Sequence, residues 1–259
     1  MRGLSSACFA LFLPLTTSNA QSTADRAKLS IGIALGASSG TTAWSISGQP
    51  IIDNNSNIDT MKVGRKLNGS ISAALTLVYF PGAHWGFTGE ITLIGGRYDA
   101  SCTMTSASSS QNVEVCATIN QAGIRSNNVA LDAGVLYRIL SQKRFSPYLS
   151  ARGGLLLGSN SAVHTSGSRG PTIVTLYADP TPHRAVPVAM LSAGFTAGAG
   201  PGYQFRWEIR DVFMSVEEVT GVTDGRPNRE PEHGLRFRQR WSFMFGFEVV
   251  LDRAHGRRY

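Results

Sequence analysis

The sequence predicts an all-β protein, an eight-stranded antiparallel up-and-down transmembrane β-barrel. Three observations predict it. Eight segments alternate large apolar residues with small or polar ones. The connections between those segments alternate long and short. The composition is poor in charge, at 16% Asp, Glu, Lys and Arg, and holds 28 glycines, with no apolar run long enough for a membrane helix of about 20 residues.

The clearest segment lies near the C-terminus, from Trp241 to Leu251. Trp241, Phe243, Phe245, Phe247, Val249 and Leu251 fall on one face of a strand, and Ser242, Met244, Gly246, Glu248 and Val250 on the other. A wholly apolar face opposite a small or charged one fits a wall between lipid and a narrow lumen. A soluble ligand-binding barrel of lipocalin type is the alternative, and it would turn the aromatic face inward.

In chain order, Leu29, Ile31, Ile33 and Leu35 open the pattern. A long polar connection is expected from about 40 to 69, with Asn54-Asn-Ser-Asn57 as turn material. Ile71 to Tyr79 is the second segment, and Pro81-Gly-Ala-His84 a tight turn. The third carries Trp85, Phe87, Ile91 and Leu93 against Glu90. A second long connection, about 99 to 127, holds Cys102 and Cys116, and no helix is expected there. Val129 to Tyr137 is the fourth segment, with Asp132 and Arg138 on its other face; Ser141-Gln-Lys-Arg144 follows as a short basic turn. Leu149 to Leu157 is the fifth, with Arg152 facing the other way. In the third long connection, about 159 to 185, Thr172 to Tyr177 is fit to extend a hairpin above the barrel. Leu191 to Ala197 and Tyr203 to Ile209 are the sixth and seventh, joined through Gly198-Ala-Gly-Pro-Gly202. The last long connection spans about 217 to 235. Ten-residue segments match the ~9–11 residues a tilted strand needs to cross a bilayer. Alternating loop length is the rule for outer-membrane barrels, with short periplasmic turns and long external loops.

Residues 1–20 read as a signal peptide: Arg2, an apolar run from Cys8 to Leu15, and Ser18-Asn-Ala20 before Gln21. The barrel then occupies 21–259, with strands within about 29–251 and a short periplasmic tail at 252–259. The formal net charge of +7 becomes +6 once Arg2 leaves. Export argues against nucleic acid as the counter-charge and favours outer-membrane lipid, including lipopolysaccharide. The mature chain keeps an even cysteine pair, Cys102 and Cys116, expected to form one disulfide in an oxidising compartment.

On the inward face, Glu90, Asp132, Glu208 and Glu248 meet Arg138, Arg152, Arg206 and Arg210. Eight strands leave an interior just wide enough for side chains to fill. Charges placed there must be paired, so a lumen charge network that plugs the barrel is expected, with an ion path as the alternative. Trp85, Tyr137, Tyr203, Trp207 and Trp241 on the outward face are expected to form the membrane girdle. Arg236, Arg238 and Arg240 continue the inward register and are expected at the barrel mouth.

By segment number, loop alternation and dyad pattern, the chain resembles the small eight-stranded outer-membrane β-barrel family, the group that contains the OmpA transmembrane domain and OmpX. Pro147-Tyr-Leu-Ser-Ala-Arg-Gly-Gly154 is similar to strand openings in that family, and Gly246, Val249 and Leu251 to its assembly signal, although Met244 stands where a polar residue is usual. The resemblance implies recognition by the barrel-assembly machinery and an outer-membrane location. It implies no peptidoglycan-binding activity, since no C-terminal domain follows.

Chemistry is sparse. All five histidines, His84, His164, His183, His233 and His255, fall in turns, loops or the tail. None occupies an outward strand position, where a lipid-modifying barrel enzyme would need one. No Walker loop, HExxH, CxxC or dinucleotide fingerprint is present. The sequence thus leads to a monomeric, non-enzymatic scaffold with four external loops and no cofactor or metal. A small pore is the alternative, and a lipid-modifying enzyme stands behind both.

Overall fold

A computed structural model describes residues 28–140, 144–158, 162–179 and 185–252. The expected leader, residues 141–143 of the basic turn and the tail beyond 252 lie outside the described residues. The elements in chain order are β1 (Lys28–Ser38), β2 (Thr41–Ile52), β3 (Ile58–Leu67), β4 (Ser70–Phe80), β5 (Trp85–Met104), α1 (Ser110–Gln121), β6 (Gly123–Arg138), β7 (Phe145–Gly158), β8 (Thr165–Arg169), β9 (Thr172–Tyr177), β10 (Ala185–Gly200), β11 (Tyr203–Val219) and β12 (His233–Asp252).

The sheet closes at β1, which pairs antiparallel with β4 on one edge and with β12 on the other. From β4 the ring runs through β5, β6, β7, β10, β11 and back to β12, every pairing antiparallel. An eight-stranded barrel results, as the sequence predicts. Closure leaves the ring no unpaired edge, so its backbone polar groups find partners within the wall. Register follows the dyad pattern: Leu29 faces Leu251, Gly32 faces Glu248 and Ile33 faces Phe247. The apolar set is outside. Ile33 is 66% exposed and Ile71 75%, whereas their inward neighbours Ala34 and Ser72 are buried. This excludes the lipocalin arrangement, in which that face would be the buried one.

Two expectations need correction. The stretch 40–69 is not a polar connection but the β2–β3 hairpin, turned at Asp53–Asn57, with β3 pairing onto the upper half of β5. Register shifts between Thr42 and Trp44 and between Ile46 and Gln49 break its alternation, which hid both strands in the sequence. The second connection contains a helix, α1. Its Ser, Thr, Asn and Val residues are middling helix formers, so local propensity gives little sign of it. Several strands are also far longer than a bilayer requires: β5 and β12 each have 20 residues. At about 3.3 Å per residue they rise well beyond an apolar band about 25 Å tall.

The projecting halves of these strands, the β2–β3 hairpin, α1 and the β8–β9 hairpin form a cap with its own core. Trp44, Met61, Val63, Val115, Ile119 and Val163 are completely buried there. That core is continuous with inward residues of the upper barrel, among them Ala130, Leu156, Val188 and Met214.

Candidate functional site

The barrel interior is layered. At the short-turn end Val78, Phe80, Leu136 and Tyr148 form a small apolar plug. A charged layer follows, and above it the apolar residues that lead into the cap.

The charged layer is built from five strands. Glu90 on β5 accepts from Arg152 of β7 at 2.8 Å and from both terminal nitrogens of Arg210 of β11 at 2.6 and 2.8 Å. Thr92 adds a fourth donor at 2.7 Å. Glu208 accepts from Arg152, Arg206 and Arg210 at 2.5 to 2.9 Å. Glu248 on β12 accepts from Arg206 at 3.1 Å and from Gln204 at 2.5 Å. Asp132 lies 3.3 Å from Arg152. Side-chain exposure throughout this set is between 0% and 4%. Space for these side chains comes from inward glycines. A Cβ on Gly32 would stand 2.5 Å from Glu248 Cγ, and one on Gly194 would stand 2.7 Å from Tyr148 Oη.

The structure therefore brings together Glu90, Asp132, Arg152, Arg206, Glu208, Arg210 and Glu248. Arg138 stands apart near the short turns, its guanidinium 3.7 Å from the centroid of the Phe80 ring. Sequence reasoning missed Tyr148, whose hydroxyl donates to Glu208 at 2.8 Å and accepts from Arg206 at 2.6 Å. Its signal was available, because Tyr148 shares the register of Ser150 and Arg152.

In the cap, Cys102 on β5 and Cys116 on α1 are disulfide-bonded, with Cα atoms 5.3 Å apart. Asp59 on β3 holds the start of α1. Its carboxylate accepts from the Ser108 backbone and hydroxyl, both at 2.7 Å, from the Ser109 backbone at 3.1 Å and from Asn112 at 2.9 Å. The Ser108 backbone donor and the Asn112 amide hold this carboxyl well below its usual range. At the hairpin turn, Asn57 and neighbouring backbone donors lower Asp53 to about 2. Trp44 donates to the Ala162 carbonyl at 2.8 Å and meets Tyr177 edge-on at 5.7 Å, while Tyr177 donates to Gln49 at 2.8 Å. Arg65 donates to the His164 carbonyl. Of the mouth arginines, Arg236 and Arg238 both reach Glu218, at 3.1 and 3.2 Å, and Arg240 donates to Ser70 at 2.7 Å.

On the outer wall, Trp85 packs on Tyr137 with centroids 5.0 Å apart at the short-turn end, where Tyr203 stacks on Phe247 at 5.6 Å. Trp241 lies toward the cap, opposite Asp211 in register. Trp207, 4.5 Å from Phe245, sits inside the belt rather than at either rim.

His84 donates to the Arg138 carbonyl at 2.9 Å and His233 to the Pro231 carbonyl at 3.0 Å. His183 and His255 lie outside the described residues. Among the described residues no cluster of three or more His, Cys, Asp or Glu could hold a metal ion. No described helix is long and apolar enough to cross a membrane.

No family model and no curated protein sequence matches this chain. Solved structures do. The outer-membrane protein OprG from Pseudomonas aeruginosa superimposes with a TM-score of 0.53 at 9% identity, covering 88% of this chain and 97% of OprG. Neisserial surface protein A aligns over 86% of this chain and 96% of its own, at 13% identity and a TM-score of 0.41. The fold is that of the small outer-membrane β-barrels.

Proposed function

We propose that this protein is an outer-membrane surface scaffold. The barrel anchors it, the long-loop end faces outward, and the cap presents a rigid surface to partners. One observation carries the reading: two closures stand in series along the axis, the ion-paired layer around Glu208 and the apolar cap core around Trp44. A conducting channel needs a continuous wet path, whereas Glu90, Glu208 and Glu248 are bound by Arg152, Arg206 and Arg210. Buried charges so paired act as filling. The exposed apolar wall supplies the contact with lipid. Export by the 1–20 leader, insertion through the barrel-assembly machinery, a monomeric state and a non-enzymatic role complete the proposal.

The test is conductance of the refolded mature protein in planar bilayers, with gel mobility of boiled and unboiled samples run alongside. A faster-migrating unboiled band without steady openings supports the scaffold. Stable openings altered by Arg206→Ala or Glu208→Ala make it a pore.

A further inference from the structure

We propose that the short-turn end of the barrel holds a binding site for a small phosphate-type oxyanion, a recess in which Lys28, Arg138 and Arg144 converge below the apolar plug. The site goes beyond the scaffold reading and requires only the barrel.

The recess has a volume of about 140 Å³. A single water needs about 10–15 Å³ of such space, and sites for organic ligands run to roughly 300–1,000 Å³. Its size therefore suits a small ion. Phe80 belongs both to the plug and to the wall of the recess, so the recess ends where the plug begins. Arg138 lines it too, and the ion-paired layer leaves this arginine out although its register is inward. Its guanidinium is half-buried, 3.7 Å from the centroid of the Phe80 ring, and its side-chain donors meet no acceptor among the described residues. A guanidinium carries five donors in a fixed fork. Donors held in a recess cost free energy unless an acceptor reaches them. The ring orients the fork before any ligand arrives, which lowers the ordering cost of binding.

Two further cations line the same recess from other strands, Lys28 of β1 and Arg144 immediately before β7. The Arg144 backbone is fixed by β10, where the Gly198 N–H donates to its carbonyl at 2.8 Å. Neither side chain has an ion pair or hydrogen bond among the described residues. Two acids adjoin. Glu248 is already engaged by Arg206, Gln204 and Ser30. Asp252 is the register partner of Lys28. Counting Asp252 at full charge, three cations stand against one carboxylate, which leaves two positive charges. A phosphate dianion cancels that surplus, whereas a lone carboxylate does not. Phosphate also accepts paired donors from arginine, which matches the fork of Arg138. Thr196 adds a hydroxyl to the lining.

The mature protein, refolded in an uncharged detergent, is titrated with inorganic phosphate by calorimetry in about 150 mM sodium chloride, which screens attraction between exposed charges. A second arm places it in phosphatidylcholine nanodiscs doped with phosphatidylglycerol and reads retained lipid by native mass spectrometry. Saturable phosphate binding that Arg138→Gln weakens at least tenfold supports the site with a free anion as its ligand. Phosphatidylglycerol retention that falls at least tenfold in Arg138→Gln, without uptake of inorganic phosphate, supports the site with a lipid headgroup as the source. Lys28→Gln/Arg144→Gln removes the other two cations, leaves the Phe80 stack in place and is expected to weaken binding likewise. It carries the test alone if Arg138→Gln fails to give the faster-migrating unboiled band. Arg226→Gln, at an exposed ion pair in the last long loop, is expected to bind as wild type does. No binding by wild type in either arm, or equal binding by wild type and the recess variants, overturns the site.

Discussion

Arg210 and Glu90 meet across the lumen from strands that are not neighbours. Both terminal nitrogens of Arg210 reach the two oxygens of Glu90, at 2.6 and 2.8 Å, although β11 and β5 are separated in the ring by β12, β1 and β4. This bidentate pair, with Arg152 bonded to both Glu90 and Glu208, ties opposite walls together.

Breaking the tie is expected to destabilise the barrel strongly. Arg210→Ala leaves Glu90 and Glu208 short of a partner in a buried layer, and losing one member of a buried pair costs about 3–5 kcal/mol. Guanidinium chloride unfolding in lipid vesicles should show the midpoint falling by that equivalent. Arg226→Ala, at an exposed loop ion pair, should stay within about 0.5 kcal/mol of wild type. Equal effects of the two substitutions would mean that the charged layer adds nothing to stability.

The cap should loosen in acid before the barrel does. Asp53 and Asp59 both titrate below the unfolded aspartate value of about 3.9, Asp53 at about 2 and Asp59 lower still. Their folded pKa values are depressed, so their contribution is fully present above the unfolded value. It is lost as pH falls through the folded values. Hydrogen exchange between pH 5 and pH 2, read as protection relative to an unstructured chain at the same pH, should therefore show protection falling at α1 and the β2–β3 turn, with the barrel strands still protected. Asp59→Asn should bring the same change at α1 to neutral pH.

Much of the ring was legible because lipid imposes a strict rule. Each crossing strand must show apolar residues every second position, so Leu29–Leu35, Ile71–Tyr79 and Trp241–Leu251 announced themselves. The inward carboxylates and arginines were found by the same count. The cap was not legible, since its strands bury both faces unevenly and its hairpin bulges twice, at Trp44 and near Gln49. α1 depends on tertiary contacts, above all on Asp59 from β3. The meetings of Arg210 with Glu90, and of Arg152 with Glu90 and Glu208, also escaped the sequence, because those partners lie on strands that are not adjacent. Arg138 shows this best: its register is inward, yet it lies beyond Leu136 at the short-turn end and stacks on Phe80.

The Cys102–Cys116 bond should stabilise the cap and leave insertion untouched. The cysteines are 14 positions apart, and closing a loop of about 15 residues is worth about 3 kcal/mol. Cys102→Ser/Cys116→Ser should keep the shift between boiled and unboiled bands. Proteolysis within residues 105–122 should become faster. An unchanged cleavage rate would assign the holding of α1 to its other contacts, those of Asp59, Asn120 and Thr118 among them.

Trp44→Ala separates the two closures. Trp44 is fully buried between Ala162 and Tyr177, and truncating a buried tryptophan costs about 3–5 kcal/mol. Its indole bonds Ala162 and meets Tyr177 in the cap, and the ion-paired layer is fixed by strands whose pairing runs below the cap. The variant should therefore lose cap order, seen as rapid cleavage in the β2–β3 and β8–β9 hairpins, while remaining closed in a planar bilayer. If openings appear with Trp44→Ala alone, the cap is the seal and the charged layer already passes ions. If they appear only when Glu208→Ala is added, the two closures act in series, as the layering of the interior requires.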